Sequence, residues 1–280
     1  MTLPITPADI QTFNDNGAVH IRGLLGCDWM DLLRGVFEEL KASAYDLSNY
    51  YDDDHTAQTK ATGQAPGTSL VKDDNWITSD VMRSFLFESP VAAAAARVLQ
   101  SSKVNIYEDL LIFKGPGAAP PTPWHQDEPQ WPLQGMLMCS VWLCLESVKR
   151  DTGALRFVAG SHRGPLYVPH VPAAQREKLA QDMHYFTGGP LPNVDADPTR
   201  FRIVSFDTEP GDVVIFHPRS LHAAFGSDRT RPRRTFSIRF LGDDVRWLTK
   251  KSVFHSWLSQ ITLADGDAIS GERFPLIWPA

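Results

Sequence analysis

Cysteine is scarce in this chain of 280 residues, with only three, at positions 27, 139 and 144. An odd, widely spaced set is no disulfide framework and suits a reducing compartment. Cys139 and Cys144 fall in an apolar run and read as packed thiols. Long apolar runs are missing as well. The longest, Val91 to Ala96, is mostly alanine and far too short to cross a bilayer. The N-terminus, Met-Thr-Leu-Pro-Ile-Thr-Pro, lacks the basic stretch and apolar core of a signal peptide. Basic excess is also absent: the net charge is −6, which disfavours a nucleic-acid partner. There is no internal repeat, no His-Glu-x-x-His and no cysteine cluster of the kind that holds zinc. These absences describe a cytoplasmic protein with no membrane and no nucleic-acid partner, working as a monomer or homodimer.

What is present is enough apolar material, 42% of residues, to build a substantial core. Thr6-Pro7 with Asp9 reads as a helix start, Ile10 and Phe13 share its face, and Gly17 fits its stop. Val19 and Ile21 then form a short strand. A second helix runs from about Asp28 to Ala42, its Trp29, Leu32, Leu33, Val36, Phe37 and Leu40 at helical spacing. From Tyr45 to Asp80 periodicity is lost, and the stretch reads as a long loop. Ser89-Pro90 opens an alanine-rich helix ending near Gln100. After Ser102 the texture turns to β. Val104 to Lys114, Met136 to Glu146, Leu155 to Val158, Gly211 to Phe216 and Arg233 to Leu241 read as strands. In Met136 to Glu146 one face carries Leu137, Cys139, Val141, Leu143 and Leu145, the other Met136, Met138, Ser140, Trp142 and Cys144. Two dissimilar faces suit a sheet lying between a core and a cavity. Gly164 to Thr208 is a long, weakly patterned insertion. The tail carries Trp247, Trp257 and Trp278, better suited to completing the core than to a dimer contact. The expected architecture is one mainly β domain over residues 1–280: a double-stranded β-helix, or jelly-roll, cupin-like barrel, over about 103–241, with helices in 1–102 and a tail at 242–280.

The chemistry is carried by Trp124-His125-Gln126-Asp127. Residues two apart in an extended segment point the same way, so an imidazole and a carboxylate converge. His222 lies 95 residues beyond Asp127, far enough for the chain to cross several strands and return. Two histidines and one carboxylate form the facial triad of non-haem Fe(II) oxygenases, with three positions left for a 2-oxo acid and dioxygen. Arg233 follows His222 by eleven residues. A buried arginine there can grip the far carboxylate of 2-oxoglutarate with two prongs, and Thr235, two further on, can offer a hydroxyl. The alternative for Arg229, Arg231, Arg233, Arg234 and Arg239 is a solvated basic edge strand, which suits Arg229 and Arg231.

Taken together and in order, these residues resemble the phytanoyl-CoA dioxygenase family of Fe(II)/2-oxoglutarate oxygenases. The similarity runs from about Thr6 to Leu241. It is anchored on Asp15-Asn16-Gly17, Ile21-Arg22-Gly23, Lys114-Gly115-Pro116-Gly117, Trp124 to Asp127, Trp142, Gly153 to Val158, Gly160-Ser161-His162, Gly211 to His222, and Arg233. The resemblance implies that His125, Asp127 and His222 hold iron and that Arg233 anchors 2-oxoglutarate. It implies that Gln126, Trp142 and Lys114 line or support the co-substrate pocket. His162 is placed either near the site mouth or in a structural turn. The family's offset to the arginine selects His222 over His217. Family members often have glycine after the distal histidine, where this chain has Ala223. Halogenase relatives replace the carboxylate ligand with a small residue, so Asp127 indicates a hydroxylase-type enzyme.

The expected reaction uses Fe(II), 2-oxoglutarate and O2 to hydroxylate a C–H bond of a small-molecule substrate, releasing succinate and CO2. Tyr45 to Asp80 and Gly164 to Thr208 are expected to form a lid that selects the substrate. Two alternatives share the barrel: a cupin-like metal-binding protein or isomerase that does not use 2-oxoglutarate, and a non-catalytic interaction protein. Arg233 argues against the first and the complete triad against the second.

Overall fold

The computed structural model describes residues 3–46, 68–116, 121–151, 153–171, 176–197, 199–225, 231–250, 253, 255 and 257–279. Helix α1, Pro7–Asn16, starts with a reciprocal capping box between Thr6 and Asp9 and stops at Gly17 in the left-handed region. A Cβ at Gly17 would collide with the Ser220 hydroxyl and the His162 imidazole, so glycine is required there on two counts. Strand β1, Ala18–Ile21, leads to α2, Cys27–Lys41, which buries Met30, Leu33, Val36, Phe37 and Leu40.

The stretch from 45 to 80 is not one loop. It holds strands β2, Tyr45–Asp46, and β3, Ser69–Asp73, and the short helix α3, Asn75–Thr78. Pairing with longer strands overrides the weak local pattern; residues 47–67 lie outside the described residues. Helix α4, Asp80–Glu88, was not legible, although Ser79 caps it and Met82, Phe85 and Leu86 share its buried face. Helix α5, Val91–Leu99, follows, its alanines letting it pack closely.

The β region comprises β4, Val104–Lys114; β5, Thr122–His125; β6, Leu133–Gln134; β7, Met138–Cys144; β8, Leu155–Val158; β9, Ile203–Ser205; β10, Val213–Phe216; β11, His222–Ala224; β12, Arg233–Leu241; β13, Arg246–Trp247; and β14, Leu276–Trp278. Most of them form two facing antiparallel sheets, the jelly-roll arrangement, while β6 pairs with β13 in a separate two-stranded sheet. The major sheet runs β1-β10-β7-β12-β4-β3-β2, with β14 added on β4; the minor sheet runs β5-β11-β8-β9. β12 is therefore central and not a basic edge strand: β7 and β4 pair with it on either side.

The two faces of the major sheet do different work. Leu143, Val141, Cys139, Phe236, Ile238 and Phe240 face the helices in one large core with Phe37, Phe85 and the α5 alanines. Fully burying a side chain of this size contributes about 1.5–3 kcal/mol. Trp142 and Cys144 face inward, toward Phe157 and Phe216. Cys139 and Cys144 are packed thiols: burial holds both in the protonated form, pushing Cys144 up to about 12. In the tail, Trp247 and Trp257 complete a third cluster with Tyr107, Trp131 and Phe274, whereas Trp278 is exposed.

Part of the 164–208 insertion covers the outer face of the minor sheet: Tyr167, Leu191, Val194, Phe201 and Ile203 pack on Trp124, Val158 and Leu221. It also contains a helix, α6, Arg176–Asp182. No helix among the described residues is long and apolar enough to cross a membrane.

Candidate active site

His125 and His222 meet because they are directly opposed on β5 and β11, their ring centroids 4.1 Å apart. β5 ends at His125, and Asp127 already has helical backbone angles as the chain enters a single tight turn at Glu128–Gln130. The Asp127 N–H donates to the Pro218 carbonyl at 2.8 Å, which fixes that turn to the segment just before His222. The extended-strand alternation expected from the sequence is thus completed by a pinned turn.

Donor atoms of His125, Asp127 and His222 all lie within 4.8 Å of one another, the geometry of a metal site. Asp127 Oδ1 is 3.4 Å from His125 Nε2 and 3.8 Å from His222 Nε2. Each imidazole is oriented through its other nitrogen: His125 Nδ1 on the Pro123 carbonyl at 2.8 Å and His222 Nδ1 on the Ser220 carbonyl at 2.9 Å. That leaves both Nε2 lone pairs for a cation, the usual arrangement of metal-binding histidines. Burial, reinforced by His125, pushes His222 down to about 4. Burial opposes charge on His125 too, but Asp127 and the Pro123 carbonyl carry its pKa upward. Burial would raise Asp127, but both histidines hold it below the usual carboxylate range.

His217 stands apart. Its Nε2 bonds the Met136 carbonyl at 3.0 Å and its Nδ1 accepts the Arg219 N–H at 3.0 Å, so both ring nitrogens serve the scaffold. Burial pushes it down to about 3. His162 is buried beneath Gly17, bonded to the Asn14 backbone, which puts it in the structural-turn role.

Arg233 opens β12 and is buried on its inward face, opposite Lys114 of β4. It donates Nη1 to the carbonyl of Gly153, a residue in the left-handed region. Its Nε is buried with no partner, and among the described residues no carboxylate pairs with it. Lys114 is buried too and donates to the Thr122 hydroxyl at 3.0 Å. Burial and the Arg233 charge hold it well below the usual lysine range. Thr235 shares this face, but its hydroxyl donates to the Ile112 carbonyl at 3.1 Å, so its proton is not available as expected. Trp142 lies in the inward cluster, opposite Ser237 and Val214.

Gln126 was expected to line or support the pocket, and its contacts are those of a supporting residue. It lies between two inward residues, so its side chain points the other way. Its amide donates to the Pro165 and Arg219 carbonyls at 3.1 and 2.7 Å and accepts the Tyr167 N–H at 2.8 Å. It supports the site by clasping the insertion to the metal-site turn. Four further residues of the site were not legible. Glu128 receives a two-pronged bond from Arg219, Nε at 2.8 Å, and so joins the turn after Asp127 to the turn before His222. Glu108 pairs with Arg239, whose Nη2 lies 3.6 Å from Asp127 Oδ2. Arg239 was readable in principle, because it continues the period-two row of Arg233 and Thr235.

A family model for phytanoyl-CoA dioxygenase (PhyH) matches residues 13–235. The chain belongs to this family. A probable phytanoyl-CoA dioxygenase of Caenorhabditis elegans is 30% identical over 149 residues, covering 51% of this chain. The match spans only 45% of that relative's length. Among solved structures, the non-heme alpha ketoglutarate dependent carbocyclase SnoK superposes with a TM-score of 0.73 at 20% identity, over 97% of this chain and 96% of that one. The epimerase SnoN, in complex with Fe3+, alpha ketoglutarate and nogalamycin RO, gives 0.72 at 20% identity, over 96% and 97%. At such identity these likenesses establish the shared fold. The family match covers every donor of the triad and Arg233.

Proposed function

We propose that this PhyH-family protein is a dioxygenase that uses Fe(II) and 2-oxoglutarate to hydroxylate a C–H bond of a small molecule, releasing succinate and CO2. One observation carries the reading: a three-donor metal site shares the barrel interior with a buried arginine that has no carboxylate partner among the described residues. The donor set suits iron, since two imidazoles and one carboxylate leave three positions for other ligands. His125, Asp127 and His222 would hold it. Arg233 would take the distal carboxylate of 2-oxoglutarate in a two-pronged bond, and Lys114 would add a second N–H donor beside it. When bound, the pair supplies the oxidising power that a C–H bond demands.

The chain's own contribution is position and exclusion of water. The inward wall on the β3–β4 side is apolar, with Val71 opposite Ile112 and Leu110 next along that strand. Leu110 and Ile112 are half-buried, so this wall suits the hydrocarbon part of a substrate. The proteins of similar fold include a carbocyclase and an epimerase, and the outcome at the C–H bond here follows from where the substrate is held.

Succinate formation from 2-oxoglutarate in air tests the reading. Even without substrate, slow turnover should require Fe(II) and should be lost in His222→Ala. Full succinate-forming activity in His222→Ala would show the ligand assignment to be wrong.

A further inference from the structure

The inward face of β12 carries a second arginine, and its surroundings differ from those of Arg233. Arg239 donates Nη1 to Glu108, directly opposite on β4. Its guanidinium lies over the Trp131 ring, 5.0 Å from the centroid. Glu108 and Trp131 are both buried, so the arginine is clamped from two sides. Its Nη2 is left 3.6 Å from Asp127 Oδ2. The two oxygens of the metal-binding carboxylate are thereby divided. Oδ1 faces the Nε2 atoms of His125 and His222, and Oδ2 faces a fixed cation.

That division matters for the count of coordination positions. Three protein donors leave three sites on an octahedral ion, and a chelating 2-oxo acid plus dioxygen use all three. A carboxylate bound through both oxygens would take one of them. We propose that Arg239, held by Glu108, is a positioning residue that keeps Asp127 a one-oxygen ligand and so preserves the third open position, the one that dioxygen needs once 2-oxoglutarate has chelated. The proposal rests on the iron and 2-oxoglutarate reading above. Glu108 sets how strongly Arg239 draws on Asp127, because the guanidinium charge is shared between the two carboxylates. Removing Arg239 and removing the Glu108 charge should therefore act on Asp127 in opposite directions.

The test is anaerobic titration of the Fe(II)-loaded protein with 2-oxoglutarate, reading the visible metal-to-ligand charge-transfer band in wild type, Arg239→Gln, Arg239→Lys and Glu108→Gln. In Arg239→Gln, Asp127 becomes free to donate through both oxygens. The second oxygen adds electron donation to the iron, so the band should move to longer wavelength. Arg239→Lys keeps the charge without the fork and should bring the band part of the way back. Glu108→Gln keeps an acceptor oxygen but removes its charge, so Arg239 should draw more strongly on Asp127 and the band should move to shorter wavelength. A merely structural role would lower melting temperature without shifts of opposite sign. The proposal is overturned if folded Arg239→Gln binds 2-oxoglutarate with its band unmoved. Should Arg239→Gln fail to fold, an unmoved band in Glu108→Gln overturns it equally. A wild type with no band at all would instead refute the iron and 2-oxoglutarate reading itself.

Discussion

The two ends of β12 place an arginine on the same inward face, and the difference between them separates binding from scaffolding. At one end Arg239 is paired with Glu108 and close to Asp127, so its charge is balanced within the chain. At the other end Arg233 donates to the Gly153 carbonyl, has no carboxylate partner among the described residues, and faces a second buried basic residue, Lys114, across the ladder. A buried charge is tolerated when paired and costly when not. A balanced pair needs nothing more, whereas an unbalanced one is suited to an anionic ligand. An arginine cannot escape by losing its proton. Asp109 shows the contrast: it is buried on the helix-facing side of β4, bonded by the Trp76 N–H and Asn75, and burial pushes it up to about 7. A carboxyl can neutralise itself; Arg233 cannot.

The largest expected effect breaks the region between the two ends. His222→Ala should lower succinate formation by about a thousandfold or more, since the metal's contribution amounts to several kcal/mol. His217→Ala should leave metal binding intact and lose stability only. Next comes stability itself, where the two arginines should differ in sign. Arg239→Met leaves Glu108 buried and unpaired and should destabilise the protein by about 3–5 kcal/mol. Arg233→Met removes an unbalanced cation and should leave the ligand-free protein as stable or about 1 kcal/mol more stable. Chemical denaturation of both variants checks this, and equal losses would dissolve the contrast.

Arg233→Met should also weaken 2-oxoglutarate binding by about a hundredfold, the loss of one charge-assisted two-pronged contact, with metal affinity nearly unchanged. The smallest effect concerns Asp109. Its pKa is raised in the folded state, so its contribution to stability is full below its ordinary value of 3.8 and is lost as pH rises through about 7. Melting temperature measured across that window should fall with rising pH in wild type and fall less in Asp109→Asn.

Much of this was legible from residue order. β8 and β12 match their periodicity at Leu155–Val158 and Arg233–Leu241, and α1 follows from Thr6, Asp9 and Gly17. The metal donors could be read because their spacing is chemical and local, His125 and Asp127 above all. What could not be read depends on register. Arg239 meets Glu108 across 131 residues of sequence, and no local pattern fixes which rung of β4 it faces. The same holds for Glu128 with Arg219. β11 is three residues long and β9 likewise, too short for alternation to declare itself. Which of its two expected roles Gln126 fills, lining or supporting the pocket, could not be read, because motif membership says nothing of direction.

The most direct measurement is anaerobic addition of Fe(II) and then 2-oxoglutarate to the apo-protein, with Arg233→Ala in parallel. A saturable visible charge-transfer band in the wild type, reached only at much higher 2-oxoglutarate in the variant, is the result expected if the triad holds iron and Arg233 completes the co-substrate site. Iron bound with no band, or a band equally saturable in both proteins, would contradict it.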